Sequence, residues 1–259
     1  MSRILDVASL TRNFGGLAAV SNVTLHLDTG ELIGLIGPNG AGKTTVFNLL
    51  TGVYPPSAGT IEFTRDDKPV SIGGRRPYAI CRAGIGRTFQ NIRLFKDLTV
   101  LDNVVIALQQ NRRYPLVSSF LRLPPFAKAE ADIRAESLEL LRLMGLDDKA
   151  GEIARNLPYG DQRHLEIARA LATKPTLLLL DEPAAGMNPA ETAQLSGLIS
   201  RLRDEFKLTI LLIEHDMSLV MKICERIYVL DHGVVIAHGT PADVRANPKV
   251  IEAYLGEEA

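Results

Sequence analysis

The chain has 259 residues, 46% of them hydrophobic, with two cysteines and a formal net charge of −1. That length buries a large core, in one domain or in a domain carrying an inserted subdomain, and the near-neutral charge gives no global electrostatic case for nucleic acid or anionic lipid beyond local patches such as Gly73-Gly74-Arg75-Arg76. Cys81 and Cys224 lack metal-ligand spacing and read as reduced thiols of an intracellular protein. The N-terminal Met1-Ser2-Arg3-Ile4-Leu5-Asp6 has no signal-peptide apolar region, and no run approaches the roughly 18 apolar residues of a membrane span.

Along the chain, short β-branched or aliphatic runs predict strands at Ile4–Val7, Val23–Leu27, Leu32–Ile36, Thr60–Phe63, Leu177–Leu180, Ile210–Ile213, Ile227–Leu230 and Val234–Ala237. Helix-like stretches separate the later runs, which predicts α/β architecture: a mainly parallel sheet with helices on its faces, plus a small antiparallel β portion made by the first runs. From about Asn91 to Leu157 helical signals dominate. Val100–Gln109 and Lys128–Met144 are the best helices, the second with an apolar stripe of Ala131, Ala135, Leu138, Leu141 and Leu143; Asn111–Phe126, holding Pro115, Pro124 and Pro125, reads as an irregular loop.

Gly37-Pro38-Asn39-Gly40-Ala41-Gly42-Lys43-Thr44-Thr45 is a phosphate-binding loop between the apolar run Leu32–Ile36 and helix-like Val46–Leu50. A strand feeding a glycine-rich turn into a helix aims successive backbone N–H groups and the positive end of the helix dipole at a polyphosphate. Lys43 would reach the β- and γ-phosphates of ATP, and Thr44 would offer its hydroxyl to Mg²⁺. Leu177-Leu178-Leu179-Leu180-Asp181-Glu182 delivers two carboxylates at the end of a buried strand, the ligand edge of a doubly wound sheet. There Asp181 would hold Mg²⁺ through water and Glu182 would orient and deprotonate the attacking water. Ile210–Ile213 repeats the pattern with His215 at the strand end, either as a γ-phosphate contact or as the residue before a helix capped by Asp216. Gln90, at the junction of the two regions, is a solvated loop residue or a sensor of Mg²⁺ and nucleotide. Phe14 reads equally as small-core packing and as a platform for adenine.

The ordered set of the phosphate loop, Gln90, Leu157-Pro158-Tyr159-Gly160-Asp161-Gln162, Leu177–Pro183, Ala184–Pro189 and His215 resembles the ATP-binding subunit of an ABC transporter. The resemblance covers essentially the whole chain. It implies a P-loop, RecA-like core at 1–90 and 163–259, with an inserted helical subdomain at 91–162 that ends in the family's signature sequence, at the start of a helix Arg163–Ala172. Arg87–Asn91, Arg93-Leu94-Phe95, the long insertion and the ending Ala253-Tyr254-Leu255-Gly256 are similar to the longer-insert ATPase of the branched-chain amino acid importer. The resemblance implies a second, related ATPase as partner, each ATP lying between one chain's loop and the other's signature. It also implies two membrane permease subunits, a periplasmic binding protein met indirectly, no nucleic acid, and a peripheral place on the cytoplasmic face of the membrane. The region after Gln90, including Ile92–Val105, would form the groove for a permease helix. A soluble non-transport ABC ATPase, or an importer ATPase for another small amino acid, amide or urea-like solute, is the alternative.

Three residues depart from the family pattern. Pro158 stands in place of the signature serine and has neither hydroxyl nor backbone N–H to offer a phosphate. Asp161 replaces the signature's usual glutamine, and Asn188 replaces the aspartate common after the catalytic glutamate. Because signatures act in trans, Pro158 bears on the site built on the partner's loop and leaves this chain's own loop intact.

Overall fold

The computed structural model describes residues 2–110 and 124–255. The chain forms two compact units, Met1–Arg87 with Thr176–Ala259, and Thr88–Pro175.

The first unit holds two sheets. Strands β1 (Arg3–Phe14), β2 (Leu17–Asp28), β4 (Ala58–Arg65) and β5 (Lys68–Ser71) make an antiparallel sheet in the order β2-β1-β4-β5. Strands β3 (Leu32–Ile36), β6 (Ile85–Arg87), β7 (Leu177–Asp181), β8 (Thr209–Ile213), β9 (Arg226–Asp231) and β10 (Val234–Gly239) form the second sheet in the order β10-β9-β3-β8-β7-β6. All its neighbours run parallel except the β9–β10 hairpin. Every residue of β3, β7 and β8 is buried, as expected of parallel strands covered on both faces, and this is why they read as continuous aliphatic runs.

Helix α1 (Lys43–Leu50) follows the phosphate loop and sends Val46, Phe47, Leu49 and Leu50 into the core shared with β1, β2, β3 and β8, and helix α2 (Pro77–Ala83) leads into β6. Gly34 lets a helix approach the sheet closely: a Cβ there would stand 3.1 Å from Val220 and 3.3 Å from Cys224. Cys224 is a free, buried cysteine whose thiol is pushed up to about 12 by that burial.

The second unit contains helices α3 (Val100–Gln109), α4 (Pro124–Leu143) and α5 (Tyr159–Ala172). Helix α3 begins at the expected residue, where Thr99 caps it by accepting from the Asp102 backbone N–H. Helix α4 starts before Lys128, because Pro124 and Pro125 sit in a first turn, where a missing N–H costs nothing. The loop assigned to 111–126 otherwise falls on 111–123, outside the described residues. The buried face of α4 is Ile133, Ser137, Leu140 and Leu141, with Met144 buried just past its end; Ala131 and Ala135 of the expected stripe are exposed. The 3.6-residue period runs through Ser137, which hides its hydroxyl by donating to the Ile133 carbonyl at 2.8 Å. Helix α5 likewise starts at Tyr159 rather than Arg163, so the signature's last four residues form its first turn and the whole helix belongs to the second unit.

Leu211 lies fully buried at the centre of β8. Leu211→Ala should lower stability by about 2–5 kcal/mol, read as a shifted midpoint in urea unfolding with an unchanged slope.

Candidate functional site

Strand order makes the site. In β3-β8-β7, Leu35 pairs with Ile213 and Ile213 with Asp181, so the three strands end at one level. The phosphate loop, the segment bearing His215, and Asp181 with Glu182 therefore leave the same sheet edge, the loop and the two carboxylates being separated by two strand spacings, about 10 Å.

The loop's shape depends on glycine at two close approaches. Gly37 has φ +150 and a Cβ there would lie 1.9 Å from the Leu230 carbonyl oxygen; Gly42 has φ +102 and a Cβ would meet the Ala19 carbonyl at 2.6 Å. Gly42 is also the N-cap of α1, with no side-chain cap hydrogen bond and no acidic residue in the first turn. The start of α1 thus offers backbone N–H groups and a positive dipole end to an anion. Lys43 is only 6% exposed, and its Nζ donates to the Gly37 and Pro38 carbonyls at 2.7 Å each. Asn39, Gly40 and Thr44 face solvent, while Thr45 is half-buried and Ala41 is buried.

Asp181 is buried, and its Oδ2 accepts from Arg87 Nη2 at 2.7 Å. Arg87 also donates to Asn48 Oδ1 at 2.8 Å and Thr51 Oγ1 at 2.9 Å, tying the aspartate strand to the far end of α1. Glu182 adopts the left-handed region at φ +47, an uncommon conformation for a residue with a side chain. Its Oε1 lies 2.7 Å from His215 Nε2. Between them stands Glu214, which is buried and accepts from the Ala184 N–H at 2.7 Å and the His215 N–H at 3.1 Å. Burial pushes the Glu214 carboxyl above the usual carboxylate range, against the lowering effect of those hydrogen bonds. Phe14 is 39% exposed and meets Tyr54 edge-on at 5.1 Å, with the Arg12 guanidinium 4.7 Å over its ring.

A sequence model for the ABC transporter family matches residues 20–185, and a model for a branched-chain amino acid ATP-binding cassette transporter matches residues 234–259. The chain belongs to the ABC transporter family. This ABC ATPase is 50% identical to the high-affinity branched-chain amino acid transport ATP-binding protein LivG of Escherichia coli K12, over 98% of each chain. It is 46% identical to the corresponding BraF of Pseudomonas aeruginosa, over 99% of this chain and all of the relative. The crystal structure of the ADP conformation of an ATP-binding cassette superposes with a TM-score of 0.83 at 28% identity, covering 99% of this chain and all of that one. The chain is accordingly a nucleotide-binding ATPase of P-loop fold.

The first unit of the ATPase brings together Gly37 to Thr45, Asp181, Glu182 and His215, with Phe14 on its antiparallel sheet. His215 precedes a helix, Met217–Ile223, capped by Asp216, which is one of the two readings of the sequence, and its ring reaches Glu182. Gln90 and Leu157 to Gln162 belong to the second unit. There Pro158 is the N-cap of α5 without a side-chain cap bond, Gln162 Nε2 donates back to the Leu157 carbonyl at 2.8 Å, Tyr159 is 47% exposed, and Asp161 pairs with Lys149 at 2.6 Å. Asn188 is the N-cap of the helix Pro189–Phe206, accepting from the Ala190 and Glu191 N–H groups.

Sequence reasoning missed Arg87 and Glu214. The signal for Glu214 was an acidic residue directly after four aliphatic ones; Arg87 gave none, since β6 is three residues long. Among the described residues, no group of three or more His, Cys, Asp or Glu could hold a metal by itself, and no helix is long and apolar enough to cross a membrane.

The side chains of Arg87 and Asp181 are 6% and 2% exposed. Arg87→Met should therefore cost about 3–5 kcal/mol by stranding a buried carboxylate. Asp181→Asn in the same background should recover part of that loss in chemical denaturation.

Proposed function

We propose that the chain is the ATP-hydrolysing subunit that energises branched-chain amino acid import, working as one half of a two-cassette unit with a related ATPase. Two membrane permease subunits, served by a periplasmic binding protein, would carry the solute past it. The 2.7 Å contact of Glu182 with His215, level with a phosphate loop whose helix start has no side-chain cap, is the observation that carries hydrolysis. Similarity along the whole chain to branched-chain amino acid ATPases supports the substrate class.

Phosphoryl transfer asks a protein mainly for positioning and charge neutralisation. Backbone N–H groups of residues 37–45 receive the phosphates, and Lys43 exchanges its two carbonyl partners for phosphate oxygens. The hydroxyl of Thr44 and the carboxylate of Asp181, the latter acting through water, are hard oxygen donors that suit Mg²⁺, an ion that usually keeps several waters and is bound by one or two carboxylates plus substrate phosphates; Gln90 is assigned to the same ion. Bound there, Mg²⁺ would neutralise charge on the β- and γ-phosphates. Glu182 takes the proton of the attacking water, His215 orients Glu182 and reads the γ-phosphate, and Phe14 stacks on adenine. The signature from Leu157 to Gln162 completes the partner's site, and the surface after Gln90 receives a permease helix.

Lys43→Ala should abolish ATP-dependent closure of the two cassettes, measured by distances across labelled pairs; a variant that still closes refutes the role of Lys43. With Pro158 weakening only the partner's site, Glu182→Gln should reduce ATPase turnover of the assembled transporter more than the matching change in the partner. Equal losses would show that the two sites are equivalent.

A further inference from the structure

Within the second unit, four backbone groups around Gln90 are held by one buried ion pair on the signature helix. Arg163 and Glu166, one turn apart on α5, have side chains 0% and 4% exposed and meet each other at 2.9 Å. The guanidinium donates to the Phe89 carbonyl at 2.7 Å and the Gln90 carbonyl at 3.0 Å. Glu166 Oε1 accepts from the Phe89 N–H at 3.1 Å and the Arg93 N–H at 3.2 Å. The pair therefore grips the loop on both sides of Gln90 through main-chain atoms that any sequence would present. Arg163 Nη2 also donates to the Tyr159 hydroxyl at 3.0 Å, in the signature itself. Further along the same helix, Arg169 donates to the Arg93 carbonyl and stacks 4.8 Å over Phe95.

A solvated surface pair would let loop and helix slide. This pair is desolvated, and apart from the buried Arg163 Nε its groups are matched to each other and to the loop backbone, so loosening it would strand a buried charge and take a partner from two backbone amides. Burial pushes the Glu166 carboxyl above its usual range, opposed by Arg163 and by the two backbone donors.

We propose that Arg163 and Glu166 are positioning residues that lock the Gln90 loop to the signature helix, so that a nucleotide-driven shift of Gln90 moves the signature presented to the partner's site. This rests on the two-cassette reading above, and it gives that reading an internal linkage. Neither residue touches nucleotide. Their work is to make the loop and the first turn of α5 one body, which is a two-state element that both sites can bias.

The test uses the full chain and its assembled transporter. In the wild-type chain, ATP with Mg²⁺ should change amide hydrogen exchange in two segments together, 88–93 and 159–165. Glu166→Gln should keep the nucleotide response at 88–93 and lose it at 159–165, with ATP affinity essentially unaltered. In the assembled transporter, kcat should fall on the order of 10-fold with little change in KM, as expected for a lost coupling between sites. Arg163→Met with Glu166→Leu removes both buried charges and so avoids stranding either one, yet should remain uncoupled because, of these contacts, only those of Arg169, at Arg93 and Phe95, then hold the loop. Recovery of the 159–165 response or of kcat in that double variant would overturn the proposal, as would a wild-type signature segment that ignores nucleotide while the phosphate loop responds. If the wild-type chain bound no nucleotide at all, the functional reading and this linkage would fall together.

Discussion

Parallel pairing of β3, β8 and β7 is the constraint on which the site depends. Each strand is buried along its whole length because both faces are covered, and each must satisfy its backbone hydrogen bonds with its neighbours at a fixed register. Once Leu35, Ile213 and Asp181 are level, the groups that follow them have no choice of edge. The polar residues are therefore carried by the apolar ones. Phosphate loop, histidine and carboxylates converge from positions more than a hundred residues apart because aliphatic side chains pack on both sides of a sheet.

Charge in this protein is placed where it also builds. Arg87 links Asp181 to the back of the phosphate-loop helix, Glu214 ties the segment after Glu182 to the His215 backbone, and the Arg163–Glu166 pair fastens the Gln90 loop. In each case a buried ion is matched by several hydrogen bonds, the condition under which burying it is tolerable. These ions fix the chain segments that carry Asp181, Glu182, His215 and Gln90.

The phosphate loop and the Asp181-Glu182 pair were legible in the sequence because their spacing is local and their flanks are strongly apolar. Helix α3 was legible to the residue for the same reason. What escaped depended on partners distant in the chain. Strand β6 is three residues long and exists because Gly84 and Thr176 hold its start beside β7. The start of α5 was hidden by Pro158 and Gly160, two residues that read as helix breakers; at the N-cap, ahead of the first turn, the proline removes no helical hydrogen bond. On α4, alanines suggested a face that Ile133 and Ser137 occupy instead, since a serine bonded to its own helix can be buried as readily as an alanine.

Lys43 has a consequence of its own. With its ammonium clasped by the Gly37 and Pro38 carbonyls, the loop has an internal stand-in for its ligand. The clasp holds the ammonium against the two residues that open the loop. In the role proposed for Lys43, nucleotide entry is a ligand exchange at one nitrogen, with neutral carbonyl oxygens giving way to charged phosphate oxygens. The affinity expected from that role is the difference between two kinds of acceptor rather than the whole strength of a salt link.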